Sequence, residues 1–229
     1  GINFKAMKGQ TIGVIGGTGS GKSSLVNLIP RLYDATQGEV LVDGVNVKDY
    51  DIEALRNKVG IVMQKAVLFK GTIRENMWMG KKGATDEQID EALEISQSKE
   101  FVDSKQGRLD YVIEQGGKNL SGGQRQRLTI ARAIVRKPDV LILDDSASAL
   151  DFATDAALRK AIRGMNNSPT VFIVSQRAAS LMYADLIIVL DDGQVAGMGT
   201  HDELLANCEV YKEIYESQFK KADSEGGVA

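Results

Sequence analysis

The run Gly16-Gly17-Thr18-Gly19-Ser20-Gly21-Lys22-Ser23 narrows the folds open to this chain more than any other feature. The apolar stretch Thr11-Ile12-Gly13-Val14-Ile15 precedes it and Ser24-Leu25-Val26-Asn27-Leu28-Ile29 follows, so the region reads as strand, glycine-rich loop and helix. A loop of this kind curls successive backbone N–H groups around a polyphosphate, and the helix behind it offers its positive dipole end to the same anion. Lys22 then reaches the β- and γ-phosphates, while Ser23 supplies a hydroxyl to Mg²⁺. Ser24, next in line, is counted with the binding residues. A flexible Gly/Ser turn before a helix is the bland alternative. The Gly16 to Lys22 spacing and the strand-helix context favour the phosphate loop.

With 229 residues and 43% hydrophobic content, the chain suits one large α/β domain or two small ones with a sizeable core. A net charge of -3 gives no support to a nucleic-acid partner. Cys208 is the only cysteine, which excludes an intrachain disulfide and fits a reducing compartment. No apolar run approaches the roughly 18 residues that span a bilayer, so the chain by itself is expected to be soluble. It starts at Gly1-Ile2-Asn3-Phe4, in what reads as the middle of a strand, without an initiator Met or signal peptide. A fragment of a longer protein is the expectation.

In chain order, strands are expected at Ile2 to Phe4 and Thr11 to Ile15, and a hairpin at Glu39 to Val42 and Val45 to Val47 turning on Asp43-Gly44. Val59 to Met63 is a short strand ending at Gln64. From about Thr72 to Arg136 the period becomes helical: Thr85 or Asp86 opens Glu87 to Ser96, and Ser121 opens a helix through Gln124 to Val135. Strands resume at Val140 to Leu143, Thr170 to Val174, Leu186 to Leu190 and Gln194 to Met198, alternating with helices near Thr154 to Met165 and Arg177 to Met182. This alternation implies an α/β fold with a mainly parallel sheet and a small antiparallel β portion. The expected division is a nucleotide-phosphate-binding core at 1–64 and 139–221, a helical insertion at 65–138 and a disordered tail at 222–229.

A phosphate loop alone fits kinases, GTPases and many ATPases; a second motif separates them. Leu120-Ser121-Gly122-Gly123-Gln124 precedes a helix carrying Arg125, Arg127 and Arg132, upstream of Val140-Leu141-Ile142-Leu143-Asp144-Asp145. In these residues the sequence resembles the nucleotide-binding domain of ABC transporters, whose signature is LSGGQ and whose Walker B motif is four apolar residues, Asp and a carboxylate. The resemblance runs from about Gly9 to Tyr215 and takes in Gln64 as the Q-loop and Ser148-Ala149-Leu150-Asp151 as the D-loop. It implies a P-loop NTPase core with an ABC-type helical insertion, and ATP with Mg²⁺ as ligands. Asp144 would join Ser23 at the metal, and Gln64, counted with the catalytic residues, would touch Mg²⁺ or the attacking water and relay nucleotide state to the insertion. Ser121, Gly122, Gly123 and Gln124, with Asp151, would serve the nucleotide of a facing domain in a head-to-tail dimer. Leu68-Phe69-Lys70-Gly71-Thr72-Ile73-Arg74-Glu75-Asn76 and Ile113-Glu114-Gln115-Gly116-Gly117 are similar to exporter segments, the latter to a loop that meets membrane-domain coupling helices. The family's adenine-stacking aromatic would lie upstream of Phe4, so adenine recognition is not assigned.

Two departures from the family pattern stand out. Asp145 occupies the place of a Glu that acts as general base or positions water, and is one methylene shorter; an ångström of misplacement can cost roughly 10²-fold. Ile173-Val174-Ser175-Gln176-Arg177 carries Gln176 where the family has a switch histidine. An amide can hydrogen-bond a γ-phosphate but carries neither the imidazole's charge nor its proton. The only histidine, His201, lies in Thr200-His201-Asp202-Glu203, a capping box opening a helix, and is read as structural.

Together these changes resemble the degenerate half of a heterodimeric ABC exporter. The implied partners are a transmembrane domain of the same polypeptide and a second ATPase domain, on a different chain, with intact Glu and His. The implied place is the cytoplasmic face of the cell membrane. A fully active homodimeric exporter ATPase and a non-hydrolysing regulatory module stay open as alternatives. A DNA-repair or translation ATPase does not suit this compact, slightly acidic chain. The transported cargo is not legible.

Overall fold

The computed structural model describes residues 1–146 and 149–225, and the chain divides into two compact units, 1–55 with 170–229 and 56–169. The insertion expected at 65–138 lies wholly inside the second unit, which also takes in the strands on either side of it.

In the first unit β1 (Thr11–Gly16) is the central strand, buried at every residue. Parallel β8 (Thr170–Val174) and β9 (Leu186–Asp191) flank it, in registers Val14↔Val174 and Gly16↔Leu190. The edge strand β10 (Gln194–Gly199) runs antiparallel to β9, giving the order β10-β9-β1-β8. A strand covered on both faces needs a continuous apolar run, and Ile12, Val14, Ile15, Ile187, Ile188 and Val189 have no exposed surface. Each such side chain contributes about 1.5–3 kcal/mol of transfer free energy. The hairpin forms as expected, as β2 (Leu41–Val42) and β3 (Val45–Asn46). α1 (Lys22–Asn27) follows the glycine loop, and α2 (Ile52–Lys58), not foreseen, carries the chain into the second unit.

That second unit pairs β4 (Val59–Val62) with β7 (Val140–Asp144) in parallel. Its helices are α3 (Ile73–Gly80), α4 (Asp86–Ile95), α5 (Lys99–Asp103), α6 (Gly122–Ile134) and α7 (Phe152–Arg163). Thr72, Thr85 and Ser121 close capping boxes with Glu75, Gln88 and Gln124, which is why the starts of α4 and α6 were readable from sequence. A two-residue antiparallel pair, β5 (Gly71–Thr72) with β6 (Val112–Ile113), went unforeseen because strands this short carry no period. The fold is therefore α/β and mainly parallel, with small antiparallel pieces. No helix among the described residues is long and apolar enough to cross a membrane.

Two expectations need correction. Ile2 to Phe4 form no strand: Phe4 packs edge-on against Phe172, ring centroids 6.2 Å apart, without joining a ladder. Arg177 to Met182 form no α-helix but a single 3₁₀ turn, Ala178–Ser180, in the connection from β8 to β9, where the Gln218 side chain accepts from the Ala178 N–H. The last helix is α9 (Glu209–Glu225). Residues 226–229 lie outside the described residues.

At the far edge, α8 (His201–Asn207) starts with the Thr200–Glu203 capping box. His201 Nδ1 shares a 2.8 Å hydrogen bond with the hydroxyl of Tyr211, a residue with no exposed surface, so His201 is built into the packing of α8 on α9. Next to it, Gly197 of β10 lies against the buried Cys208: a Cβ there would meet Sγ at 2.9 Å. Burial, and then the neighbouring Tyr215, push the Tyr211 phenol up to about 12. An unfolded tyrosine ionises near 10, so above about pH 10 the unfolded chain loses a proton that the folded chain keeps. Stability is expected to be level below pH ~10 and to fall towards pH ~12. Urea unfolding across that range checks it: Tyr211→Phe should flatten the alkaline fall, and an unchanged fall would assign it elsewhere.

Candidate functional site

In the first unit β1 delivers the chain into the glycine loop at its C-terminal end. Gly16 is buried there, and a Cβ would overlap the Leu190 carbonyl and come within 2.6 Å of Ser20 Oγ. Gly17, Thr18 and Gly19 are exposed, whereas Ser20 is buried. Gly21, at φ 95°, turns the chain into α1 without a side-chain cap. Lys22 is 8% exposed; its ammonium donates to the carbonyls of Gly16 at 2.9 Å and Gly17 at 2.6 Å. It is thus held at the loop mouth, while Ser23 and Ser24 are exposed on the first turn of α1.

Beside β1, β8 ends at Val174, and the Ser175 N–H continues the ladder by donating to the Val14 carbonyl at 3.1 Å. Gln176 follows, exposed, so the sheet brings it and the glycine loop to the C-terminal ends of neighbouring strands. Ligand sites of parallel sheets gather at such ends. The Gln176 carbonyl accepts a 2.7 Å hydrogen bond from the Gln218 side chain of α9. Gln218 escaped the sequence reading, since a glutamine in an amphipathic helix has no motif around it.

The second unit brings together Gln64, Asp144 and Asp145. The β4–β7 register sets Val62 opposite Leu143, so Gln64 and Asp145 emerge from adjacent strand ends. There the Gln64 Nε2 donates to Asp145 Oδ2 at 3.2 Å. Asp144 is 5% exposed, while Asp145 is half-buried and sits at φ 46°, a left-handed conformation that Asp tolerates better than most residues.

Elsewhere in this unit, Ser121 and Gln124 are occupied with each other. The Gln124 N–H donates to Ser121 Oγ at 3.2 Å and the Ser121 N–H to Gln124 Oε1 at 3.1 Å. Gly122 is exposed, and Gly123 lies under the Ala149 carbonyl. Asp151 caps α7, accepting from the Thr154 N–H at 2.9 Å and its hydroxyl at 2.7 Å; these bonds hold its carboxyl below the usual carboxylate range. Ser148, expected in the same loop, lies outside the described residues. No group of three or more His, Cys, Asp or Glu among the described residues is placed to hold a metal. The expected donors, Ser23, Gln64 and Asp144, are instead hard oxygens of the kind that hold Mg²⁺ together with phosphates and water.

Residues 1–148 match the family described as ABC transporter. An uncharacterized ABC transporter ATP-binding protein of Bacillus subtilis (strain 168), YfiB, is 45% identical over 224 residues, 98% of this chain. A Staphylococcus aureus (strain NCTC 8325 / PS 47) protein named for multidrug export, as an ATP-binding/permease protein, is 40% identical over 217 residues, 95% of this chain. The chain spans 39% and 38% of those relatives' lengths. Among solved structures, a bacterial Atm1-family ABC exporter with ATP bound superposes with a TM-score of 0.90 at 32% identity, over 95% of this chain and 38% of that one.

Proposed function

This chain belongs to the ABC transporter family, and we propose that it is the ATP-binding part of an exporter whose own nucleotide site hydrolyses slowly. The observation that carries the reading is the β1–β8 edge, where an intact phosphate loop with Lys22 stands next to Gln176, a side chain that cannot take or give a proton near neutral pH. The phosphate- and Mg²⁺-binding groups are present; the groups that drive hydrolysis are altered.

In this reading Gly16 to Ser24 cradle the triphosphate. Ser23, Asp144 and the Gln64 amide oxygen would hold Mg²⁺, which draws charge from the γ-phosphate. Asp145 stands as the general base, with its Oδ2 tied to Gln64. Ser121, Gly122 and Asp151, exposed, and Gly123 and Gln124, half-buried, would face a second ATPase domain on a chain with intact Glu and His. The Staphylococcus relative's ATP-binding/permease name, and the fraction of it that this chain spans, support a membrane domain in the same polypeptide. Export across a membrane is the reading that the names of that relative and of the Atm1-family neighbour support, and this part would then stand at the cytoplasmic face.

One observation favours the fully active homodimer: the Gln64–Asp145 bond fixes the short carboxylate, which lessens the penalty for its length. Equilibrium binding and steady-state turnover separate the two readings. The purified chain is expected to bind Mg-ATP and to turn it over well below 1 per second; rates on the order of 1 to 10 per second would sink the slow-site reading.

A further inference from the structure

The switch segment after β8 has almost no regular structure, yet its backbone is pinned on both sides of Gln176. The Arg177 N–H donates to Ser175 Oγ at 3.0 Å. The two other constraints come from one distant side chain. Gln218 of α9, 42 residues along the chain, donates from Nε2 to the Gln176 carbonyl at 2.7 Å. Its Oε1 accepts from the Ala178 N–H at 2.9 Å. Ala178 is fully buried and opens the 3₁₀ turn, so the segment is anchored just beyond the point where Gln176 leaves the sheet.

We infer that Gln218 is the positioning residue for Gln176: a clamp through which the C-terminal helix sets how the switch side chain meets the γ-phosphate. The inference rests on the reading of Gln176 given above. The chemistry selects the residue type. A primary amide alone among long side chains donates and accepts from one rigid plane, and Asn would fall one methylene short. A carboxylate would keep the bond from Ala178 and set an oxygen against the Gln176 carbonyl. An alanine would release both. Releasing the segment leaves the phosphate loop untouched, so the step affected is hydrolysis and not binding. A helix remote from the nucleotide thereby becomes a place where turnover can be tuned.

Two readouts on the whole chain test this: backbone hydrogen exchange at Ala178, and single-turnover ATP hydrolysis with ATP affinity measured beside it. Gln218→Ala is expected to speed exchange at Ala178 and slow hydrolysis about tenfold, with affinity within about twofold. Gln218→Glu should keep Ala178 protected and yet slow hydrolysis as much, which a merely structural role would not produce. Protected exchange at Ala178 in Gln218→Ala would overturn the clamp. Faster exchange with unchanged hydrolysis, where Gln176→Ala does slow it, would make the clamp structural and leave the site reading standing. If Gln176→Ala also leaves hydrolysis unchanged, both the clamp's purpose and the role of Gln176 fall.

Discussion

Replacing Asp145→Glu together with Gln176→His is expected to raise ATP hydrolysis by the purified chain by about 10²- to 10⁴-fold, the usual worth of a well-placed general base. ATP affinity should stay within about twofold, because neither residue belongs to the phosphate loop and Lys22 keeps its place at the loop mouth. Asp145 already lies at the end of β7, tied to Gln64, so the longer side chain starts from a backbone that is in place. His at 176 would extend from a backbone fixed by Ser175 and Gln218, and would introduce a titrating group near pH ~6.5 that the wild type lacks there. Single-turnover hydrolysis at several pH values reads both effects. A large gain with a new pH dependence establishes the slow site and predicts a partner chain with intact Glu and His. No gain would make Asp145 and Gln176 a working pair and hand the reading to the active homodimer.

The second large effect concerns folding. Gly16→Ala should destabilise the first unit by about 3 kcal/mol and abolish ATP binding with it. The added Cβ would overlap the Leu190 carbonyl, and that carbonyl belongs to the strand paired with Gly16 itself. Neither backbone can retreat without opening the end of the β1–β9 ladder, while Ser20 Oγ closes the other side at 2.6 Å. Gly17→Ala is the matched control, with nothing within 4 Å of its Cβ. Denaturant unfolding of the two variants decides the matter: equal losses would mean that the close approach at Gly16 carries no weight.

How much of this was legible depended on whether a signal was local. β1, β7, β8 and β9 are apolar runs that need burial on both faces, and α4, α6 and α8 announce themselves by a capping residue and its partner three positions on. The phosphate loop and Ser121 to Gln124 are short contiguous motifs, so sequence was enough to find them. What failed was set by distant partners. Ile2 to Phe4 have strand composition but no ladder to join, and Arg177 to Met182 have helical composition but a start held by Gln218 from another helix, and form one 3₁₀ turn. The Gln64–Asp145 bond joins residues from separate strands, and Gln218 reaches the switch segment from another helix. Each motif residue was visible in isolation; the bonds that orient it were not.

Cys208, the only thiol, is shut beneath Gly197 at the seam between β10 and α8. An alkylating reagent reaches a buried sulfur only when its surroundings open, so the labelling rate follows the opening free energy of that seam. The chain therefore carries its own single-position chemical clock for the first unit, with no engineered probe required. Protection of that sulfur by added nucleotide would report, from a place remote from the phosphate loop, how far ligand binding tightens the unit as a whole.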